Sequence, residues 1–155
     1  MSKSETDRRH FIQCASTLIF GSVIASTCGK LDPITDVLEA DEILIISGRA
    51  TLEFSRFPNL RNVGSSSQFR IDGIKDRLIA VRLSDAEFTV LSRICTHRQC
   101  TVAYDGIENT MACPCHGSEY DVNGNVINGP ASRPLKKYQV DYRSGDDFMN
   151  IVFSN

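Results

Sequence analysis

Two short stretches of the chain gather residues able to bind a metal: C-T-H-R-Q-C at Cys95–Cys100 and C-P-C-H-G-S at Cys113–Ser118. Each offers a cysteine and a histidine one or two residues apart, together with one further cysteine. Side chains this close cannot converge from a straight strand, where neighbours alternate faces. They can converge from tight loops, and Pro114 and Gly117 suit loop backbone. Two such loops brought face to face supply two thiolates and two imidazoles, from Cys95, His97, Cys113 and His116. Zinc also takes two cysteines with two histidines, but zinc fingers usually pair like with like. Here each pair is mixed, which suits a binuclear site with two unlike irons, two histidines replacing two cysteines on one of them. A disulfide-linked domain with idle histidines is the remaining reading. Of the six cysteines, Cys14 and Cys28 lie near the N-terminus while the other four crowd into 21 residues. That crowding reads as a metal site before it reads as a disulfide scaffold.

The pattern C-T-H-x-x-C, with Cys113 sixteen positions after His97, followed by C-P-C-H-G-S, resembles the Rieske [2Fe–2S] iron–sulfur family. The likeness is to its respiratory, disulfide-containing branch. It continues through Tyr120 and Gly129–Pro130–Ala131 to Pro134–Leu135, the family's proline loop, and back over Leu78–Arg93. It therefore covers roughly residues 43–155. The resemblance implies one [2Fe–2S] cluster, with Cys95 and Cys113 on the buried iron and His97 and His116 on the outer one. It also implies that Cys100 and Cys115 are not ligands but a disulfide tying the two loops together, the alternative being two reduced thiols. An exported domain makes that bond chemically permissible. The extra cysteine pair separates the chain from the soluble ferredoxins of aromatic-ring dioxygenases, which resemble it in ligands.

Neutral imidazoles in place of two thiolates ease reduction, and Rieske centres span roughly −150 to +300 mV. Position within that span depends on hydrogen bonds to the sulfurs. Ser118 and Tyr120 fall where high-potential members carry a hydroxyl to a bridging sulfide and a phenol to a ligand thiolate. Otherwise they are a loop serine satisfying backbone and a core tyrosine. His97 and His116 acquire a second expected role, in which their free ring nitrogens bind a quinol and take its proton. Metal binding to one nitrogen alters acidity at the other.

The elements that position these loops read as short strands. Candidates are Ile43–Ser47, Leu52–Phe54, Gln68–Ile71, Leu78–Leu83, Phe88–Ile94, Val126–Ile127, Lys137–Tyr142 and Phe148–Phe153, many rich in Val, Ile, Phe and Tyr. Gly48, Gly64, Gly73, Asp105–Gly106, Asn123–Gly124 and Gly145–Asp146 supply turns between them. Short strands at this spacing predict an all-β domain, a Rieske-type antiparallel sandwich or small barrel with a loop-rich cluster-binding subdomain. From about Ala103 to Arg133 strand signals are sparse, and the region is expected to be loop.

The N-terminus carries a different message. Arg8–Arg9 precede Phe11 and an uncharged run to Cys28, a pattern resembling a twin-arginine export signal. The run holds Gln13, Ser16, Thr17, Ser22, Ser26 and Thr27, which leaves permanent anchoring marginal, since spanning takes about 20 predominantly apolar residues. An amphipathic helix of the domain is disfavoured, because Leu18–Ala25 shows no polar face. Residues 1–28 are thus expected to be a signal or membrane-anchor helix, retained, cleaved near Ala25–Thr27 or lipidated at Cys28. As a family property the twin-arginine route carries proteins already folded, often around a cofactor, so the two ends of the chain agree. Residues 29–42 read as a charged linker and 43–155 as the cluster domain.

At 155 residues, 41% apolar and 23% charged, the chain suits one globular domain. Residues 1–30 hold four basic and two acidic residues, leaving 13 basic against 17 acidic in 31–155. A mildly acidic body argues against nucleic acid and is compatible with a basic redox partner. No P-loop, dinucleotide fingerprint or long repeat is present, and no independent catalysis is expected.

The resemblance then implies one-electron transfer as the Rieske subunit of a quinol-oxidising, cytochrome bc-type complex. The chain would sit on the periplasmic side of a bacterial cytoplasmic membrane, with a cytochrome b- or c-type partner. The alternatives are the small subunit of a periplasmic molybdenum oxidoreductase of the arsenite-oxidase kind, partnered by a molybdopterin subunit, or a free-standing carrier. One departure stands out. The quinol-oxidising branch usually reads C-T-H-L-G-C, whereas Arg98 and Gln99 occupy those positions here and place a cation at the docking tip.

Overall fold

The computed structural model describes residues 43–153. The readings of 1–28 as a targeting segment, of Arg8–Arg9 as its signal and of 29–42 as a linker lie outside the described residues. No helix among the described residues is long and apolar enough to cross a membrane.

The described chain is all-β, with eleven short strands and a single 3₁₀ turn at Pro58–Arg61. Seven strands form one antiparallel sheet: β1 (Ile45–Ile46), β2 (Arg49–Glu53), β3 (Ser66–Phe69), β4 (Leu78–Arg82), β5 (Phe88–Ser92), β10 (Lys137–Asp141) and β11 (Phe148–Val152). Their order is β1-β2-β11-β10-β5-β4-β3. A bridge between Ile43, just before β1, and Ile71, just after β3, brings the two edges of this sheet together, as a small barrel requires. The remaining four, β6 (Ala103–Asp105), β7 (Thr110–Ala112), β8 (Glu119–Asp121) and β9 (Val126–Asn128), form a second sheet in sequential order.

The expected strands outside 103–133 are all present, each within a few residues of its reading. The expectation that 103–133 is loop is overturned by β6, β7 and β8, with β9 at the one candidate placed there. Each of these strands has three residues, and β7 and β8 each turn one residue fully inward, Met111 and Tyr120. A single buried position cannot show alternation, so the period-2 signal is absent even though the pairing is regular.

β4 (L-I-A-V-R) and β5 (F-T-V-L-S) read as continuous apolar runs because they are buried on both faces. Leu78, Ala80, Phe88 and Val90 point into one core with Leu52, Phe54, Phe69, Met149 and Ile151. Ile79, Val81 and Leu91 point the other way, into a second core with Val102, Met111, Tyr120, Ala131, Leu135, Cys95 and Cys113. The two sulfur-bearing loops are thus seated on the back of the large sheet by the same packing that folds the small one.

Thr89 breaks the apolar pattern of β5. It is fully buried and its hydroxyl has no hydrogen-bond partner. An unsatisfied buried hydroxyl costs about 1–3 kcal/mol, and valine fills nearly the same space without it. Thr89→Val is expected to raise unfolding stability by about 1 kcal/mol, read as a higher urea midpoint at unchanged slope. An unchanged or lower midpoint would show that the hydroxyl is not a liability.

Candidate metal centre

The loop after β5 and the loop after β7 have the same backbone construction. In the first, the Cys95 N–H donates to the Cys100 carbonyl at 2.8 Å and the Gln99 N–H to the Cys95 carbonyl at 2.9 Å. In the second, the Cys113 N–H donates to the Ser118 carbonyl at 2.8 Å and the Gly117 N–H to the Cys113 carbonyl at 3.1 Å. Each loop therefore closes on itself in six residues, with its fifth residue at positive φ: Gln99 at 60° and Gly117 at 73°. Glycine meets that requirement without strain, whereas glutamine at this φ is uncommon.

Both loops aim backbone amides at their cysteine sulfur. Cys95 receives the N–H groups of His97 and Arg98, and Cys113 those of Cys115 and His116. Such donors favour a charged sulfur over a neutral thiol. Burial opposes ionisation of Cys95, but hydrogen bonds from Tyr120, from the two amides and from Cys113 overcome it and hold this thiol below its usual range. Burial pushes Cys113 up, and its neighbour Cys95 adds to that. Two adjacent sulfurs that cannot both ionise freely are what a shared cation relieves.

The four side chains nominated by the sequence form two close pairs, Cys95 with Cys113 and His97 with His116. Cys95 and Cys113 are free thiols, 1% and 2% exposed, and hydrogen-bonded to each other. The His97 and His116 rings stand 4.9 Å apart at 89°, on the solvent side of the sulfurs. His97 Nδ1 is buried without a hydrogen-bond partner. An orphaned buried imidazole nitrogen two residues from a buried free thiol, together with a second thiol and a second imidazole, is the type of donor set a binuclear iron–sulfur group of this kind uses, and the residues fit it. A second sulfur grouping, Cys100 with Cys113 and Cys115, has its donor atoms within 4.8 Å. It offers only one free thiol, because Cys100 and Cys115 form a disulfide. That bond joins the two loops across a sequence separation of 15 residues, as the resemblance implied.

A third segment, Gly129–Lys136, closes over the loops, with a cis peptide at Gly129–Pro130. It is the expected proline loop, and it is held at several points. Its Ala131 N–H donates to Ser118 Oγ at 3.0 Å, its Arg133 carbonyl accepts from Thr96 Oγ1 at 2.6 Å, and its Leu135 N–H donates to the Gly124 carbonyl at 2.8 Å. Gly124 has φ 87°, and a Cβ there would lie 3.0 Å from the Leu135 carbonyl oxygen, so only glycine lets the β8–β9 turn approach this closely.

Ser118 is fully buried, and its hydroxyl accepts from Ala131 while its own proton has no protein acceptor among the described residues. Tyr120 Oη accepts the Thr96 N–H at 3.2 Å and lies 3.3 Å from Cys95 Sγ and 3.2 Å from Thr96 Oγ1. Since Thr96 Oγ1 gives its proton to Arg133, it can only accept from Tyr120. The phenol proton is thus shared between that oxygen and Cys95 Sγ, and a charged sulfur is the stronger acceptor. Burial, and then Cys95, raise the Tyr120 pKa, so the phenol stays a donor.

Thr96 was not singled out by sequence reasoning. It lies between Cys95 and His97 and couples the phenol to the proline loop, a role legible only once all three segments are assembled. The structure also shows a cleft of about 440 Å³ beside the centre, lined in part by Cys95, Thr96, His97, Arg133 and Lys136.

An all-β scaffold carrying two facing Cys/His loops, a bridging disulfide and a proline loop defines an iron–sulfur electron-transfer domain. The comparisons agree: residues 58–139 match the family model described as Rieske [2Fe-2S] domain, and the chain belongs to that family. Its domain carries one [2Fe–2S] cluster. The chain is 33% identical over 148 residues to the cytochrome b6-f complex iron-sulfur subunit of Chlorobaculum tepidum, covering 94% of this chain and 76% of that protein. It is 30% identical over 139 residues to the cytochrome b6-f complex iron-sulfur subunit 1 of Nostoc sp., covering 83% and 75%. A chain of a hyperthermophilic respiratory complex III is similar at 21% identity with a TM-score of 0.47, covering 77% of this chain and 81% of that one.

Proposed function

We propose that Cys95 and Cys113 bind one iron of the [2Fe–2S] cluster and His97 and His116 the other. The chain then moves single electrons as the Rieske subunit of a quinol-oxidising, cytochrome bc-type complex. The observation that carries the second statement is the similarity to the Chlorobaculum tepidum subunit, which runs through 94% of this chain and not through the cluster motifs alone. The bound cluster supplies a one-electron couple. The protein residues keep the sulfurs dry, leave the imidazoles at the surface and place O–H and N–H donors toward the sulfur side. In the same reading, residues 1–28 with Arg8–Arg9 direct export, and 43–155 act on the periplasmic side of the membrane.

Purification from membranes without crosslinking tests the assignment. Co-purification with cytochrome b- and c-type subunits, and reduction of the cluster by added quinol, are expected. Co-purification with a molybdopterin subunit, or with no partner, would overturn the complex while leaving the cluster intact.

Ser118 and Tyr120 are proposed to raise the potential by donating to cluster sulfurs, because an added donor stabilises the more negative, reduced state. Ser118→Ala and Tyr120→Phe are each expected to lower the midpoint potential by tens of millivolts. That corresponds to a fraction of the roughly 1.5–3 kcal/mol of a charge-assisted hydrogen bond, at about 59 mV per tenfold for one electron. Potentiometry checks this, and an unchanged potential in both variants would contradict it.

A further inference from the structure

The charges of the described residues are segregated. The three segments that meet at the centre, 93–102, 113–118 and 129–137, hold Arg93, Arg98, Arg133, Lys136 and Lys137 and no carboxylate. The rest of residues 43–153 holds eight basic against twelve acidic residues. Mild overall acidity therefore describes the body and the segment before it, not the end that carries the histidines.

Some of these cations are engaged. Arg93 donates to the Val102 carbonyl at 2.9 Å and to Gln68, and Lys137 donates to Asn123 at 2.7 Å. Lys136 lies 3.5 Å from Asp76 and 4.6 Å from the centre of the Tyr138 ring. Arg98 and Arg133 are exposed, and neither guanidinium has an ion-pair or hydrogen-bond partner among the described residues. Arg98 follows His97 at the tip of the first loop, and Arg133 lines the cleft that His97 also lines. The one carboxylate in that cleft, Asp76, is already held by Lys136 and by the Tyr138 hydroxyl.

We propose that the face beside His97, centred on Arg98 and Arg133, docks a redox protein that presents carboxylates. This rests on the electron-transfer reading above and specifies the partner's surface. Two unpaired cations flanking a histidine raise the local concentration of an acidic partner and orient it toward the imidazole. An anionic membrane is the other surface that two arginines could meet. Interfacial binding, however, calls for apolar side chains among the cations. Among the described residues the exposed large hydrophobics are Leu44, Ile45, Ile46, Val63, Ile107, Ile127 and Phe148, all outside the three segments.

The test uses the full-length, cluster-loaded protein with two purified c-type cytochromes of higher potential, one acidic and one basic. One electron passes from the reduced cluster to the ferric haem, which becomes ferrous, with no proton or group transferred. At low ionic strength the acidic cytochrome is expected to be reduced about tenfold faster than the basic one, and the advantage to fade as salt screens it. Calorimetric binding of the oxidised protein to the acidic cytochrome is expected to weaken in parallel. The Arg98→Gln/Arg133→Gln double variant should lose most of both effects. Arg143→Gln, past the end of β10 remote from the centre, should keep them. Equal rates for the two cytochromes, or full salt dependence retained in the double variant, would overturn the docking proposal alone. Sedimentation with phosphatidylglycerol vesicles through the same two arginines, without preference for the acidic cytochrome, would overturn it in favour of lipid. Failure to reduce either cytochrome at any salt would overturn the electron-transfer reading with it.

Discussion

Cys113→Ala, expressed under conditions that load the parent chain, is expected to contain no [2Fe–2S] cluster. Iron should fall from about two per chain to near zero, and the visible absorption should vanish with it. The sulfur that is removed is buried, lies against Cys95 and receives amide donors from Cys115 and His116. Among the described residues no other thiol is free to take its place, because Cys100 and Cys115 are joined in a disulfide. Cys95→Ala should behave the same way. Iron and inorganic sulfide analysis checks both, and full loading of either variant would remove that cysteine from the ligand set. Zinc in the parent chain without sulfide would replace the binuclear reading altogether.

Cys100→Ser/Cys115→Ser is expected to lose about 3 kcal/mol of unfolding stability, the entropic estimate for a bond closing a loop of this length. The bond links the end of the first loop to the middle of the second, so its loss also frees the loops to part over the centre. The variant should still bind iron, since neither cysteine is in the proposed ligand set, but should release it faster on warming. Denaturant unfolding of oxidised parent and variant gives the stability change, and bleaching of the visible bands gives the release rate. A variant that never loads iron would show that these cysteines do more than tie the loops.

How far the sequence reached depended on the length scale of each signal. The candidate ligands were legible because chemistry demands particular side chains at fixed spacing, and the fold pairs Cys95 with Cys113 and His97 with His116. The large sheet was legible because β4 and β5 are long enough to show uninterrupted burial and β10 shows alternation. The small sheet was not, because β6, β7 and β8 have three residues each and turn too few side chains inward to make a pattern. Thr96 was hidden for another reason. Its hydroxyl acts on Arg133, 37 positions away, and its amide acts on Tyr120, 24 positions away. Nothing local marks such a role. The cationic face was obscured in the same manner: the overall charge averages a positive end with a negative remainder, and only the meeting of three distant loops separates them.

The central claim is that two histidines and two cysteines share one binuclear cluster, and magnetic resonance of the reduced protein tests it most directly. Electron–nuclear resonance on chain labelled with ¹⁵N-histidine is predicted to show two imidazole nitrogens strongly coupled to the electron spin, with one coupling lost in His97→Cys protein. A reduced cluster with no histidine nitrogen coupled to it would contradict the account.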